Sequence, residues 1–308
     1  MTMELLTVVI PTYNRAEVLK EALNGYALQS EPMAIRELIV VDDGSQDETE
    51  SVVQEAARIS PFPVLYLHQD NQGPAAARNY GIREASSPII LFTDSDIVPD
   101  RDMVSQHLQW HTERREESVG VLGRVWWPKQ PKPTPFMRWY GEQGPLFSYG
   151  KFRHGQELGP FDLYTCNVSL KTNFLRTYGT FDEEFKRAAY EDTELGFRLK
   201  KCGLRLYYNS HAAASHLQFY SFDEVCRRIE ANRASATVFF KREAGRVYLE
   251  HQNVRKSRVS YRMARVVATV AGAVFSPAKR FMDSGLRFPN LVYRLIFWYH
   301  TTRQSNRL

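Results

Sequence analysis

Cysteine is nearly missing from this chain. The three present, Cys166, Cys202 and Cys226, are odd in number and widely separated. That excludes a disulfide framework and any cysteine-based metal spacing, and it suits a reducing compartment. No run reaches the ~18 apolar residues that a membrane-crossing helix needs; the apolar, uncharged tract VVATVAGAVFSPA from Val266 has only 13. The first ten residues, MTMELLTVVI, carry no basic leader and run straight into PTYNR, so they read as a strand and not as a signal peptide. Internal repeats and low-complexity segments are also lacking, which excludes a solenoid or a disordered scaffold.

What is present is a folded chain of ordinary balance, 43% apolar and 24% charged over 308 residues, enough for one large α/β domain or two smaller ones. The net charge of +5 is unevenly spread. From Val254 to the end there are 11 Lys/Arg and one acid, Asp283, so that segment is +10 and residues 1–253 are −5. A near-neutral body with a basic tail asks for a separate account of the tail.

The first hundred residues alternate strand and helix patterns. LTVVIPTYN reads as a short strand; Asn14 is placed to cap a helix in which Val18, Leu19, Ala22, Leu23 and Tyr26 recur at helical spacing. ELIVVDDGS is a second strand, followed by Ser45 and Glu48 in a capping-box pattern. FPVLYLHQ is a third, after which Gly73-Pro74 opens a helix, and PIILFTD is a fourth. This alternation predicts a mostly parallel sheet with helices on both faces. Ligands on such sheets bind beyond the carboxyl ends of the strands, where Thr12, Asp42 and Asp43, Gln69 to Gln72, and Asp94 with Asp96 gather.

After Pro99 the pattern loosens. SVGVLGRVWW and FDLYTCNVSLK read as strands, YEDTELGFRLKKCG as a helix stopped by Gly203, LRLYYNSHAAASH as a strand and loop, and FDEVCRRIEANRASATVFFKREA as one long amphipathic helix. The segment between Trp126 and Phe161 is rich in Pro, Gly and aromatics with poor periodicity, the composition of a functional loop region. The boundaries drawn on this basis are an α/β domain at 1–220, in halves 1–98 and 99–220, then a helical extension at 221–253 and a basic amphipathic tail at 254–308.

Asp94-Ser95-Asp96 sets two carboxylates directly after the buried run IILF. Hard divalent cations take oxygen ligands, and Mg²⁺ commonly uses one or two carboxylates plus substrate phosphates. A pair of acids at a strand end is therefore a means of holding a metal diphosphate, although an isolated DxD is more often a solvated turn. An acid of Asp42-Asp43-Gly44-Ser45 can accept a base N–H or only cap a helix. Arg78, in a run of small residues, can meet a base or phosphate, or form a salt bridge to Asp94. Glu191-Asp192 open a helix, where acids are favoured by the macrodipole alone.

The blocks VVIPTYNR, VVDDGSQDET, NQGPAAARNYGI, FTDSDIVPD and YEDTELGFRL, in this order and spacing over roughly residues 6–220, resemble those of the family-2 inverting glycosyltransferases of GT-A fold. The resemblance implies an α/β enzyme that uses a nucleotide-diphosphate sugar with Mg²⁺ or Mn²⁺. It implies that Pro11, Thr12 and Tyr13 wall the base, with Gly73 and Ser95 beside the donor. Asp43 would read the nucleobase and Arg78 neighbour it. Asp94 would approach ribose, sugar hydroxyls and metal, and Asp96 would ligate the metal with His216 against metal or diphosphate. Asn167 would face the donor sugar, and Asp192 would be the general base with Glu191 beside it. A UDP-sugar is the expected donor.

Polysaccharide synthases of that family carry a Q-x-x-R-W block and spanning helices. Here Gln218 begins QFYSF and no such block follows, which favours transfer of a single sugar to a lipid-linked, glycan or small-molecule acceptor. A nucleotidyltransferase would want a Gly-rich loop with Arg and Lys after the first strand, and PTYNR offers none. A non-catalytic sugar-nucleotide-binding scaffold would be expected to lose Asp96 or Asp192, and both are present. In the tail, Arg258, Arg262 and Arg265 recur at helical spacing, and Leu291, Leu295 and Trp298 can form an apolar stripe with Tyr293 and Tyr299 as interfacial side chains. Its apolar content turns the reading away from nucleic acid and toward an anionic membrane surface, hence a cytoplasmic protein attached to the inner face of the cell membrane. A packed helical hairpin or a homo-oligomer contact is the other reading of the tail.

Overall fold

The structure, a computed structural model, describes residues 5–128, 131–144, 146–147, 149–254, 270, 274 and 276–305. It divides into two compact units, residues 1–126 with 152–217, and residues 127–151 with 218–308. The chain leaves the first unit at 127 and rejoins it at 152, a division that runs differently from the boundaries drawn on the sequence.

In the first unit, β1 (Leu6–Thr12), β2 (Ile35–Asp42), β3 (Val64–His68) and β4 (Ile89–Thr93) form the expected parallel array in the order β3-β2-β1-β4. All five residues of β4 are buried, as continuous apolar runs between two helical layers should be. The register sets Thr12 beside Asp42 and Asp42 beside His68, so the polar strand ends reach one edge together. Helices α1 (Ala16–Ala27), α2 (Thr49–Ile59) and α3 (Pro74–Glu84) cover the faces. The alanines of α3 are explained by proximity: a Cβ on Gly81 would collide with the Val9 side chain, so only a small-residue face lets this helix lie so close to β1.

Beyond β4 the direction changes. β7 (Asn167–Lys171) runs antiparallel to β4 and to β6 (Val119–Trp126); β8 (Arg205–His216) is parallel to β6; β5 (Ile97–Pro99) closes the edge antiparallel to β8. The whole sheet has eight strands, in the order β3-β2-β1-β4-β7-β6-β8-β5. The α/β class and mostly parallel sheet expected from the sequence are therefore found. Of FDLYTCNVSLK only the last five residues are strand. Helix α4 (Met103–Glu113) packs on β6 and β8, while α6 (Thr172–Tyr178) and α7 (Glu191–Lys201) follow β7.

Two capping expectations are corrected. Asn14 does not cap α1; it sits at φ +50° and its Oδ1 accepts from Gln46 N at 2.8 Å. The Ser45/Glu48 box does not form, because Ser45 Oγ is engaged by Asn14 N at 2.8 Å. Asp47 serves both helices instead: Oδ2 accepts from Ala16 N at 2.9 Å, and Oδ1 from Thr49 Oγ1 at 2.5 Å and Thr49 N at 3.2 Å.

In the second unit, the aromatic-rich segment contains a helix, α5 (Pro135–Glu142), capped by Thr134. The expected long helix is three: α8 (Phe222–Ala231), α9 (Arg233–Lys241) and α10 (Glu243–Val254). Extended backbone at Arg242 ends α9, and α10 then folds onto it so closely that a Cβ on Gly245 would strike the Phe239 carbonyl. Gly245 is the sequence signal for that break. Helix α11 (Asn290–Ser305) joins a cluster of Phe136, Trp139, Tyr140, Tyr220, Phe222 and Ile296, with Tyr293 stacked on Trp139 at 5.4 Å. Tyr293 and Tyr299 are thus buried rather than interfacial, with the Tyr293 ring taken up by its stack on Trp139. Arg258, Arg262 and Arg265 lie outside the described residues, as does the side chain of Trp298. Among the described residues no helix is long and apolar enough to cross a membrane.

Candidate active site

The site is built where β1, β2 and β4 end. Pro11 and Thr12 finish β1, and the Tyr13 ring beyond them is 48% exposed, leaving a flat face for a planar group. Thr12 Oγ1 is buried with no hydrogen-bond partner, a polar atom at the ligand edge still to be satisfied.

Asp42 closes the turn after β2, accepting from Ser45 N and Tyr66 Oη at 2.8 and 2.7 Å. Asp43 holds the loop before α3. Its Oδ1 accepts from Gln69 Nε2 at 2.7 Å and Gln72 N at 2.8 Å, and its Oδ2 from Gly73 N at 2.8 Å. Gly73 lies at φ +94° with the Lys186 backbone where a Cβ would be, so this position needs glycine on two counts. Asp43 is thus a loop-fixing carboxylate in this structure, with lone-pair capacity remaining.

Arg78, buried in the first turns of α3, forms the salt bridge to Asp94 that the sequence allowed, Nη2 to Oδ1 at 2.8 Å, and also reaches Glu191 Oε1 with Nη1 at 3.0 Å. One guanidinium therefore ties the end of β4 to the start of α7. Burial opposes its charge, but Asp94 and Glu191 outweigh it and raise its pKa. Glu191 is pushed up to about 7, chiefly by burial and then by Asp192, against the pull of Arg78. Asp192 is raised as well, by burial and by Asp94, with Arg78 and Thr193 N opposing. Glu191 Oε2 is buried without a partner. The residue before this pair, Tyr190, is left-handed at φ +70°, a costly conformation for a bulky side chain, worth ~1–3 kcal/mol. Nothing in the sequence signals it.

Ser95 and Asp96 are buried at the turn from β4 to β5. Asp96 Oδ2 pairs with Arg15 Nη1 at 2.5 Å, a contact sequence reasoning missed because 81 residues separate the two. On the neighbouring strand His216 stands opposite Ile97, and Leu217 N donates to the Asp96 carbonyl at 2.8 Å. Among the described residues no group of three or more His, Cys, Asp or Glu forms a ready metal cage. In donor chemistry, a carboxylate and an imidazole are ligand types that Mg²⁺ or Mn²⁺ accepts alongside diphosphate oxygens.

Asn167 is not brought to this group. It is fully buried, and its Nδ2 donates to Arg124 O at 3.2 Å and Ala212 O at 2.8 Å. That orientation turns Oδ1 to His107 Nε2 at 2.8 Å, while His107 Nδ1 and His111 Nε2 both reach Ser169 Oγ at 2.8 Å. Burial drives the His107 pKa down to about 4, against its bond to Asn167, so the ring is neutral. The network clamps the irregularity where pairing jumps from Gly123–Asn209 to Arg124–Ala213, and so fixes the last residues of β8, His216 among them. A separate cleft of ≈ 760 Å³, lined by Trp110, Arg114, His154 and His211 among others, shares no residue with the strand-end group.

The family model described as "Glycosyl transferase family 2" matches residues 7–169. The chain is 33% identical over 223 residues to "Validoxylamine A glucosyltransferase" of Streptomyces hygroscopicus subsp. jinggangensis, covering 65% of this chain and 52% of that protein; it spans about half the length of such relatives. Its fold is like that of S. aureus TarS 1-349 in complex with UDP, with a TM-score of 0.56, 18% identity, and coverage of 98% of this chain and 91% of that one. It is also like that of the mannosyltransferase PcManGT from Pyrobaculum calidifontis in complex with GDP-Man and Mn2+, with a TM-score of 0.57, 17% identity, and coverage of 98% and 88%. Five ordered sequence blocks, a sheet whose carboxyl edge collects the acids, and a family match over more than half of the residues agree: the chain belongs to glycosyl transferase family 2, with a GT-A fold.

Proposed function

We propose that this protein is an inverting glycosyltransferase that moves one sugar from a nucleotide-diphosphate donor, a UDP-sugar, to a hydroxyl of a lipid-linked or glycan acceptor. The observation that carries the reading is the guanidinium of Arg78, which bridges Asp94 on the donor side and Glu191 beside Asp192. Donor-side strand end and base-bearing helix are thereby held in one electrostatic unit, as a single displacement at the anomeric carbon requires.

In this mechanism the Asp192 carboxylate takes the proton of the acceptor hydroxyl as it attacks. Burial and the neighbouring Asp94 raise the proton affinity of Asp192, and Arg78 holds Glu191 beside it. Tyr13 packs beside the base, with Asp43 supplying an acceptor for a base N–H. Asp96 and His216 would hold the divalent cation, with Asp94 nearby. The cation, Mg²⁺ or Mn²⁺, supplies charge neutralisation to the departing diphosphate.

The UDP and GDP-Man/Mn2+ complexes of the fold neighbours support a metal and nucleotide-sugar reading and leave UDP and GDP as the two bases to separate. The relative named for validoxylamine A supports a small-molecule acceptor as the second reading. A stretch of the second unit whose exposed residues include Phe281, Leu286, Leu291, Arg280, Arg287 and Arg294 supports peripheral contact with an anionic membrane, where a lipid-linked acceptor would be presented.

The deciding experiment is a nucleotide-sugar panel with Mn²⁺, read by thermal shift and turnover. Donor at ~100 Kd should stabilise the protein by ~2.7 kcal/mol. GDP-sugars outperforming UDP-sugars would replace the donor assignment, and no response to any nucleotide-sugar would remove the enzymatic reading.

A further inference from the structure

Arg15 stands at a junction. Its main chain is fixed: Leu19 N donates to its carbonyl at 3.0 Å, and its neighbours are pinned to the 42–47 loop through Asn14 N to Ser45 Oγ and Ala16 N to Asp47 Oδ2. Its side chain is 39% exposed and reaches from that anchor to Asp96, whose side chain is only 6% exposed. A rigid carboxylate is thus met by a movable guanidinium on a long stem.

We propose that Arg15 competes with the divalent cation for Asp96, and that this competition makes metal binding depend on the donor's diphosphate. The inference rests on the reading of Asp96 as a metal ligand. Arg15 Nη1 already stands 2.5 Å from Asp96 Oδ2. A Mg²⁺-type ion needs its oxygen at ~2.0–2.1 Å, and a guanidinium left in place beside that ion would be strongly repelled. A cation seated on Oδ2 must therefore displace Arg15. Without nucleotide, the charge-assisted bond to Asp96 is lost. With nucleotide, the diphosphate offers oxygens to the metal and to Arg15 together, and a guanidinium fork suits phosphate. The coupling is reciprocal, so metal and nucleotide tighten each other by the same factor.

The test measures Mn²⁺ binding by calorimetry and by paramagnetic resonance, first with Mn²⁺ alone and then with the tighter of UDP and GDP. Wild type, Arg15→Gln and Arg15→Lys are compared after circular dichroism has verified their folds. Arg15→Gln should bind Mn²⁺ alone about five- to tenfold more tightly than wild type and gain less from added nucleotide. Arg15→Lys, which keeps the charge, should resemble wild type. A merely structural ion pair would shift melting temperature and leave these affinities alone, so equal Mn²⁺ affinity of wild type and Arg15→Gln without nucleotide overturns the proposal. If wild type with nucleotide binds no Mn²⁺, and Asp96→Asn behaves alike, the metal reading itself falls and the competition with it. Binding that needs Asp96 yet ignores Arg15→Gln defeats the competition alone.

Discussion

Arg78 Nη1 and Glu191 Oε1 meet at 3.0 Å across 113 residues of sequence, both almost wholly withdrawn from water. Removing the cation would leave Asp94, Glu191 and Asp192 repelling one another with no local compensation. Arg78→Leu should lose ~3–5 kcal/mol of stability at neutral pH together with its activity. The loss should shrink at pH 5, where protonation relieves Glu191 and Asp192, both raised by burial. Urea melts at pH 5 and 8 check this; an equal loss at both would mean the arginine matters by packing alone.

The proton affinity of Glu191 has its own signature. Its pKa rises from 4.5 to about 7 on folding, so between those values the folded state holds more proton than the unfolded one. Stability contributed by that proton is present below pH 4.5 and is lost as pH rises through 7. Glu191→Gln, which cannot ionise, should abolish this fall and gain up to ~3 kcal/mol relative to wild type at pH 8. Denaturation midpoints across pH 4 to 8 measure it; parallel curves for the two proteins would refute it.

Catalysis should titrate in the opposite sense, since a base works unprotonated. Wild-type kcat/KM should climb with pH through an apparent value belonging to the Glu191–Asp192 pair. Asp192→Asn should cost ~10²–10⁴-fold in kcat while donor affinity stays near wild type. Near-normal turnover in that variant would take Asp192 out of the mechanism.

Asp96→Ala should weaken nucleoside-diphosphate binding and make what remains indifferent to Mn²⁺. Calorimetric titrations with and without chelator report this directly. If chelator leaves wild-type binding and turnover untouched, no cation acts at Asp96.

The exposed stretch of the second unit should govern lipid contact. Phe281, Leu286 and Leu291 are solvent-facing, so Leu286→Asn/Leu291→Asn should spare the fold. The full chain should float with anionic vesicles, less in high salt, and the double variant should float less. Equal flotation would assign that stretch no part in membrane contact.

Much of the sheet unit was legible because its cues are local. IILF followed by Asp94 and Asp96, and Gly73-Pro74 before the alanines of α3, each announce a strand end or a helix start within a few residues. The role of Arg15 could not be read, since its partner lies 81 residues away and the antiparallel closure of β5 on β8 that fixes the corner has no local signature. Asn167, which the resemblance sets facing the donor sugar, is held from α4 by His107, a contact 60 residues away in sequence that no local signal announces. In the second unit, helical periodicity continued through Asn232 and Arg242, and Gly245, which lets α10 fold against Phe239, was a local cue to the second break alone.

Chain direction at the border between β4 and β7 has one more consequence. Thr93 at the end of β4 pairs with Asn167 at the beginning of β7. The rim is therefore assembled from strand exits on one side of Thr93 and from the approach to a strand on the other. Residues leading into Asn167 reach that rim by a route independent of the loops that carry Asp43, Asp94 and Asp96. Length changes before β7 can thus remodel what the rim admits while the corners at Asp96 and Asp192 stay in place, so variation at the rim and constancy of those corners are separated along the chain itself.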